Sequence, residues 1–218
     1  MGRKLSRGIT ALLIGAILTG CATTQPYDYT AFRQSKPKSI LVLPPINDSL
    51  EVNAPNSVLA HATLPLAESG YYVFPVTLVV DTFRENGLTS PGDIQAVAPA
   101  KLLEIFGADA GLYIKIKKYG TTYVVISSST TVAADAKLID LRTGQLLWEG
   151  SAYASSDEGG NSGDGLVGLL VKAIANQVIA SVTDEGHTVA GMATRRLLSA
   201  GRPNGLLYGP RSPYYEQQ

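Results

Sequence analysis

The chain has 218 residues, 18 basic against 18 acidic, with two histidines and one cysteine. Without Arg3, Lys4 and Arg7 the balance is 15 basic against 18 acidic, a net of −3, which excludes the basic face that nucleic-acid binding requires. A single cysteine excludes an intramolecular disulfide and a multi-thiolate metal centre, and the length suits one domain with a sizeable core.

Arg3, Lys4 and Arg7 precede the apolar run Ile9–Leu18, and Gly20-Cys21 closes it. A charged start, a short apolar stretch and small residues at a cleavage site are the build of a secretory signal over 1–20. The run is about half the length that spans a bilayer, so a retained transmembrane helix is not expected. Leu18-Thr19-Gly20-Cys21 resembles the lipobox of bacterial lipoproteins, which implies a diacylglyceryl thioether on Cys21, cleavage before it and acylation of the new amine. Palmitate-type chains at that residue would anchor the protein, since two or three acyl chains hold firmly where one does not. Ala22, in place of the Asp that favours inner-membrane retention in enterobacterial-type lipoproteins, points to the outer membrane with the domain facing the periplasm, surface exposure remaining open.

Residues 21–37 are polar and read as a lipidated flexible tether, mostly extended, that lets the domain stand off the membrane. The globular domain is expected over 38–200. It opens with Ser39–Leu43, an uninterrupted apolar run stopped by Pro44-Pro45, as in a strand buried on both faces. Asn53-Ala54-Pro55 starts a helix running to Glu68 and stopped by Gly70, with Pro65 expected to kink or shorten it. Tyr71–Phe74 is the next strand, residues 76–86 a helix, and Ser90-Pro91 opens another that Pro99 restarts and Gly107 ends.

From Gly111 the period becomes two. Leu112, Ile114 and Ile116 alternate with Tyr113, Lys115 and Lys117. A turn is expected at Tyr119-Gly120-Thr121, a return over Thr122–Ile126, an irregularity at Ser127–Thr131, and a hairpin of Val132–Leu141 with Gln145–Ala154 across Arg142-Thr143-Gly144. That is a meander of up to four strands. Ser155–Gly165 reads as a loop. Leu166 to Val182 carries the apolar face of a long helix, Asp184-Glu185-Gly186 breaks it, and Thr188–Leu198 forms another. Residues 201–218, rich in proline and glycine, read as an extended arm laid on the domain or on a partner. The fold class is α+β or α/β: one domain, a mixed sheet with a βαβ start and an antiparallel meander, and helices packed on it.

Several strings invite chemistry. Gly163-Asp164-Gly165-Leu166-Val167-Gly168 matches G-x-G-x-x-G, with an acid about 20 positions on at Asp184 or Glu185. A loop separates it from the preceding strand and no strand follows its helix, so it reads as a loop capping a helix. Ser162 with His187 and an aspartate is a triad by composition alone. His61 and His187, the two histidines, show no metal-ligand spacing. Asp157, Asn161 and Asp164 do not follow the EF-hand order, so solvation is the better reading than Ca²⁺. Trp148 reads as a packed sheet residue before a binding aromatic, and Lys115, Lys117 and Lys118 as a solvated strand face or edge guard.

The hairpin Leu138-Ile139-Asp140, Thr143-Gly144, Leu146-Leu147-Trp148 resembles periplasmic lipoproteins of the CsgG and LpoB kind. With the lipobox, the strand before Pro44-Pro45 and the tail Gly205-Leu206-Leu207-Tyr208-Gly209-Pro210, the chain resembles over residues 10–215 an outer-membrane lipoprotein family of uncharacterised function that includes a Neisseria vaccine-candidate lipoprotein. The resemblance implies a fold similar to the N-terminal domain of TolB, carries over Cys21 as the lipidation site, and carries over no catalytic residue. The expected function is non-enzymatic, without cofactor or metal: a secretion or envelope-assembly accessory acting through protein contacts, with a CsgG-type secretion lipoprotein as a candidate partner and a homodimer as the expected self-association. The alternatives are a periplasmic small-ligand binder using the Gly159–Gly165 loop and an activator of a peptidoglycan synthase. A hydrolase using Ser162 is the remaining class.

Overall fold

The computed structural model describes residues 26–124, 127–159 and 185–218. The helices are α1 (Thr30–Ser35), α2 (Ala54–Glu68), α3 (Val76–Glu85), α4 (Pro91–Gln95), α5 (Pro99–Phe106) and α6 (Glu185–Leu198). The strands are β1 (Ser39–Val42), β2 (Ile46–Asn47), β3 (Tyr72–Val73), β4 (Ala110–Val124), β5 (Ser127–Asp140) and β6 (Leu146–Ser155). They make one mixed six-stranded sheet in the order β3-β1-β4-β5-β6, with β2 also on β4. The first half is parallel: β1 lies between β3 and β4, in register Ser39 to Tyr72 and Ile40 to Ala110. The second half is antiparallel, β4 to β5 to β6.

Ile40, Leu41, Val42 and Leu43 are all fully buried, as a strand covered on both faces demands. Ile40 and Val42 join the cluster under α2 and α6, which also holds Leu112, Ile114, Ile116, Leu138 and Trp148. Leu41 and Leu43 join Val79, Phe83, Ile94 and Leu102 of α3, α4 and α5 on the opposite face. Pro44-Pro45 interrupts a line of pairing that resumes at Ile46, opposite Lys115. Neither proline offers an N–H to the ladder, and the Gln95 amide reaches in to donate to the carbonyls of Pro44 (2.8 Å) and Ile114 (3.1 Å).

Four expectations change. Helix α2 runs through Pro65 to Glu68. The proline lies in the last turn, where it removes one intrahelical bond, and the Ser69 hydroxyl donates to its carbonyl at 2.6 Å. The meander has three long strands where up to four were expected. No turn forms at Tyr119-Gly120-Thr121; the register shifts between Ile116 and Lys118 and the ladder continues, Gly120 opposite Thr131 with φ +149°. A bulge and a glycine absorb the break in alternation without reversing the chain. Helix α6 includes Glu185, Gly186 and His187 ahead of the expected Thr188, and the Glu185 carboxylate accepts from the Thr130 hydroxyl at 2.6 Å. The expected helix over Leu166–Val182 lies outside the described residues.

The fourth change concerns the tether. From Pro26 to Pro37 the segment packs on the domain. Phe32 is buried in the core, with Tyr27, Tyr29 and Ala31 against it. The Tyr27 amide donates to Asn204 Oδ1 (3.1 Å), the Tyr27 hydroxyl accepts the Glu149 amide (3.1 Å), and the Tyr29 hydroxyl donates to the Gly205 carbonyl (2.5 Å). The aromatic content of this segment outweighs its polar average. The arm 201–218 lies on its own domain as well. Leu206 is buried, Tyr71 donates to the Leu207 carbonyl (2.6 Å) and Trp148 Nε1 to the Asn204 carbonyl (3.0 Å). The arm closes with a single 3₁₀ turn at Tyr215–Gln217. Of its apolar residues, Leu206 and Leu207 pack into the core of the same chain.

Candidate functional site

The segment between β2 and α2, residues 48–53, is the most unusual surface of the domain. It is wound around Asn47. The Asn47 side-chain oxygen accepts from the Ser49 amide (3.0 Å) and hydroxyl (2.7 Å), while its NH₂ donates to the Glu51 carbonyl (2.8 Å). The Glu51 amide donates to Ser49 Oγ (3.3 Å) and the Asn53 amide to Glu51 Oε1 (3.2 Å). At its root the Asp48 amide donates to the Ile116 carbonyl (2.9 Å), and Asp48 pairs with Lys115 at 2.9 Å. Asn, Asp and Ser bond their own backbone two residues on, which is why they hold such turns.

What this loop holds out is apolar. Leu50 is 101% exposed and Val52 84%. Burying such a side chain is worth about 1.5–3 kcal/mol, which the fold of this chain leaves unused at both positions. A single exposed leucine needs no explanation; two on one hydrogen-bonded loop, alternating with the polar residues that bond it, make a small exposed apolar surface. The sequence reading passed over this loop, though the alternation Asn47, Ser49, Glu51, Asn53 against Leu50 and Val52 was its visible signal.

The two histidines meet, although 126 positions separate them. Their rings stack 4.3 Å apart between α2 and α6. His61 Nε2–H donates to the His187 carbonyl (3.1 Å), and His187 Nδ1 lies 3.1 Å from Ser57 Oγ, to which the Tyr119 hydroxyl donates at 3.2 Å. Burial, followed by the neighbouring His187 ring, holds His61 below the usual histidine pKa. Ser57 is only 5% exposed, and the group ties α2 to α6. Gly191 of α6 makes room for it: a Cβ there would stand 3.1 Å from the His61 ring.

The remaining candidates fall as follows. Trp148 is buried at 1%, a packed sheet residue whose indole ties β6 to the arm. Lys115 and Lys117 are half exposed and paired with Asp48 and Asp135, each at 2.9 Å; Lys118 is exposed on the same strand. Asp157 is exposed in the 3₁₀ turn Ser156–Gly159. Leu18, Thr19, Gly20, Cys21, Asn161, Ser162, the Gly163–Gly168 string and Asp184 lie outside the described residues. Among the described residues no group of three or more histidines and acids converges as a metal site, and no helix is long and apolar enough to cross a membrane.

Comparison with known proteins agrees with this architecture. The family model described as "Putative lipoprotein GNA1162-like" matches residues 27–211. The chain is 48% identical over 219 residues to "Putative lipoprotein NMB1124/NMB1162" of Neisseria meningitidis serogroup B, covering 99% of both chains. The crystal structure of lipoprotein GNA1162 from Neisseria meningitidis is 50% identical and matches 66% of this chain and 99% of its own, with a TM-score of 0.54. A PelC dodecamer from Paraburkholderia phytofirmans is 15% identical, matching 75% of this chain and 87% of its own, with a TM-score of 0.45.

Proposed function

Because this chain belongs to the GNA1162-like lipoprotein family, we propose that it is a non-enzymatic accessory of the bacterial envelope, acting through protein contacts. In this reading Cys21 carries the lipid anchor in the outer membrane, the domain faces the periplasm, and the 48–53 loop engages an envelope protein of a secretion or assembly system. A CsgG-type secretion lipoprotein is the candidate partner from sequence resemblance.

The observation that carries this reading is the fixed exposure of Leu50 and Val52. A partner that covers both gains their apolar area without the cost of ordering the loop, because hydrogen bonds already hold it. Each side chain would contribute about 1.5–3 kcal/mol if the contact buried it fully. The test is in-cell cross-linking and affinity recovery of three forms: wild type, Cys21→Ala, and Leu50→Asp with Val52→Asp. The expected result is one defined envelope complex with wild type, lost in both variants, while the loop variant is still lipidated. A complex that survives Leu50→Asp with Val52→Asp contradicts the role of the loop. Recovery of no specific complex from any form contradicts the accessory reading as a whole.

A further inference from the structure

The packed N-terminal segment says which way the domain faces the bilayer. The candidate anchor Cys21 stands six positions before Tyr27, and a chain reaches at most about 3.3–3.6 Å per residue, so Cys21 lies within roughly 22 Å of Tyr27. Tyr27 itself is fixed at the edge of the sheet. Its hydroxyl holds the Glu149 amide of β6, its amide holds Asn204, and its ring packs 4.9 Å from Tyr29. Had residues 21–37 been a free tether, its reach would have exceeded about 50 Å, enough for any face to touch the membrane. A compact domain of this size measures about 40 Å across. A leash of half that length, leaving from one edge, keeps the opposite edge off the surface.

The surface beside Tyr27 has the chemistry of a lipid–water boundary. A groove of about 480 Å³ runs along β6, lined among others by Tyr27, Trp148, Tyr153, Arg196 and Arg202. Tyr153 is 50% exposed. Arg202 is exposed, as is Pro203 beside it, and Arg202 makes no ion pair among the described residues. Two of the acids nearby are ion-paired, Glu158 with Arg196 and Glu149 with Lys137 at 3.7 Å, while Asp28 keeps its charge under hydrogen bonds from Thr30 at 2.6–2.9 Å. Tyrosines favour the headgroup level because the ring is apolar and the hydroxyl wet. A guanidinium forks onto phosphate oxygens.

We infer that the face formed by Tyr27, the β6 edge and the 202–204 turn lies against the phospholipid surface, with Arg202 and Tyr153 among the headgroups and the sheet's other edge turned away. This rests on the lipid anchor at Cys21. Strand β6 is one edge of the sheet and β3 the other, with α3 following β3 in the chain; Leu78 of α3 is 63% exposed and marks the far side.

The experiment uses the full lipidated chain in vesicles of phosphatidylethanolamine and phosphatidylglycerol. Cys21 sulfur is consumed by the thioether, so Arg202→Cys, Pro203→Cys or Leu78→Cys each offers one thiol for a fluorophore. Headgroup-nitroxide lipids should quench labels at 202 and 203 several-fold more than the label at 78. Lengthening the stretch between Cys21 and Tyr27 with a glycine-serine insert should erase that difference. Equal quenching at the near and far sites, or stronger quenching at 78, overturns the orientation while leaving the anchor standing. Failure of the wild type to associate with vesicles, with a Cys21 thiol still free to label, overturns the anchor and the orientation together. Near-side labels shielded from the nitroxide lipids and from aqueous iodide alike, in native membranes, would show a protein covering this face, and would overturn the lipid contact.

Discussion

Two irregular stretches of this domain are held by hydrogen bonds to opposite effect. In the seam formed by residues 26–37 and 200–218, the bonds draw aromatic side chains inward: Tyr27 and Tyr29 tie to Asn204, Gly205 and Glu149, and Trp148 lies beneath them. In the loop 48–53, the bonds around Asn47 turn Leu50 and Val52 out to solvent. Polar residues that satisfy backbone groups are common to both, since buried or turning backbone must find partners. The difference lies in where the apolar side chains end: in the seam they hold the fold together, whatever its outer surface faces, and in the loop they are left free for a protein contact.

That separation can be broken by substitution. Trp148→Ala should have the largest effect on stability, about 3–5 kcal/mol, because it removes a large side chain only 1% exposed, together with its hydrogen bond to the Asn204 carbonyl; chemical denaturation measures it. Gly70→Ala comes next. At φ +96° its new Cβ would sit 2.4 Å from the Ser212 amide nitrogen and 2.8 Å from the Gly209 carbonyl, both backbone atoms of the arm, so strain and overpacking together should cost about 2–4 kcal/mol and loosen residues 209–212 toward proteolysis. Tyr27→Phe should cost about 1 kcal/mol through the lost hydroxyl on the Glu149 amide, again read by denaturation. Leu50→Ser with Val52→Ser should leave stability within about 0.5 kcal/mol of wild type, since neither side chain packs on anything, yet should abolish partner capture. Loss of stability in that double variant, or partner loss in Tyr27→Phe, would merge the two regions into one.

Acid offers a smaller test on a third surface. Folding lowers the pKa of His61 below its ordinary 6.5 through burial and the His187 ring. As pH falls below about 6.5, the unfolded chain takes up a proton that the folded chain resists, so stability is full above that value and declines through the lower folded one. Unfolding midpoints measured between pH 8 and 5 should fall, and His61→Gln should flatten that part of the profile. Part of any residual slope belongs to carboxylates. Asp140, for example, is raised by burial, but bonds from Ser35, Thr143 and Arg142 together draw it below the ordinary value, so its contribution disappears at still lower pH.

Much of the architecture was legible because it rests on local pattern. The apolar run before Pro44-Pro45, the proline and glycine bounds of α4 and α5, and the alternation of Leu112, Ile114 and Ile116 each state their element directly. What was not legible depends on distant partners. Gly120 could have turned the chain or twisted it, and only the pairing of Thr121 and Thr122 with Thr130 and Ser129 decides for a continued strand. Tyr27, Tyr29 and Phe32 sit in a stretch of tether-like composition, and the hydrogen-bond partners of the two tyrosines lie more than 100 positions away. The histidine stack joins positions 61 and 187 through the packing of α2 on α6, which no spacing rule carries. The loop 48–53 was passed over for another reason: its alternation is visible in the sequence, but alternation ordinarily marks burial, and the exposure of Leu50 and Val52 is a property of the folded surface.

The most direct measurement places a photo-activated cross-linker at position 50 of the lipidated protein in living cells. The account predicts one discrete adduct with an envelope protein, lost when Val52→Asp is added and absent when the cross-linker stands at the exposed Lys101 of α5. No discrete adduct from position 50, or the same products from positions 50 and 101, would contradict it.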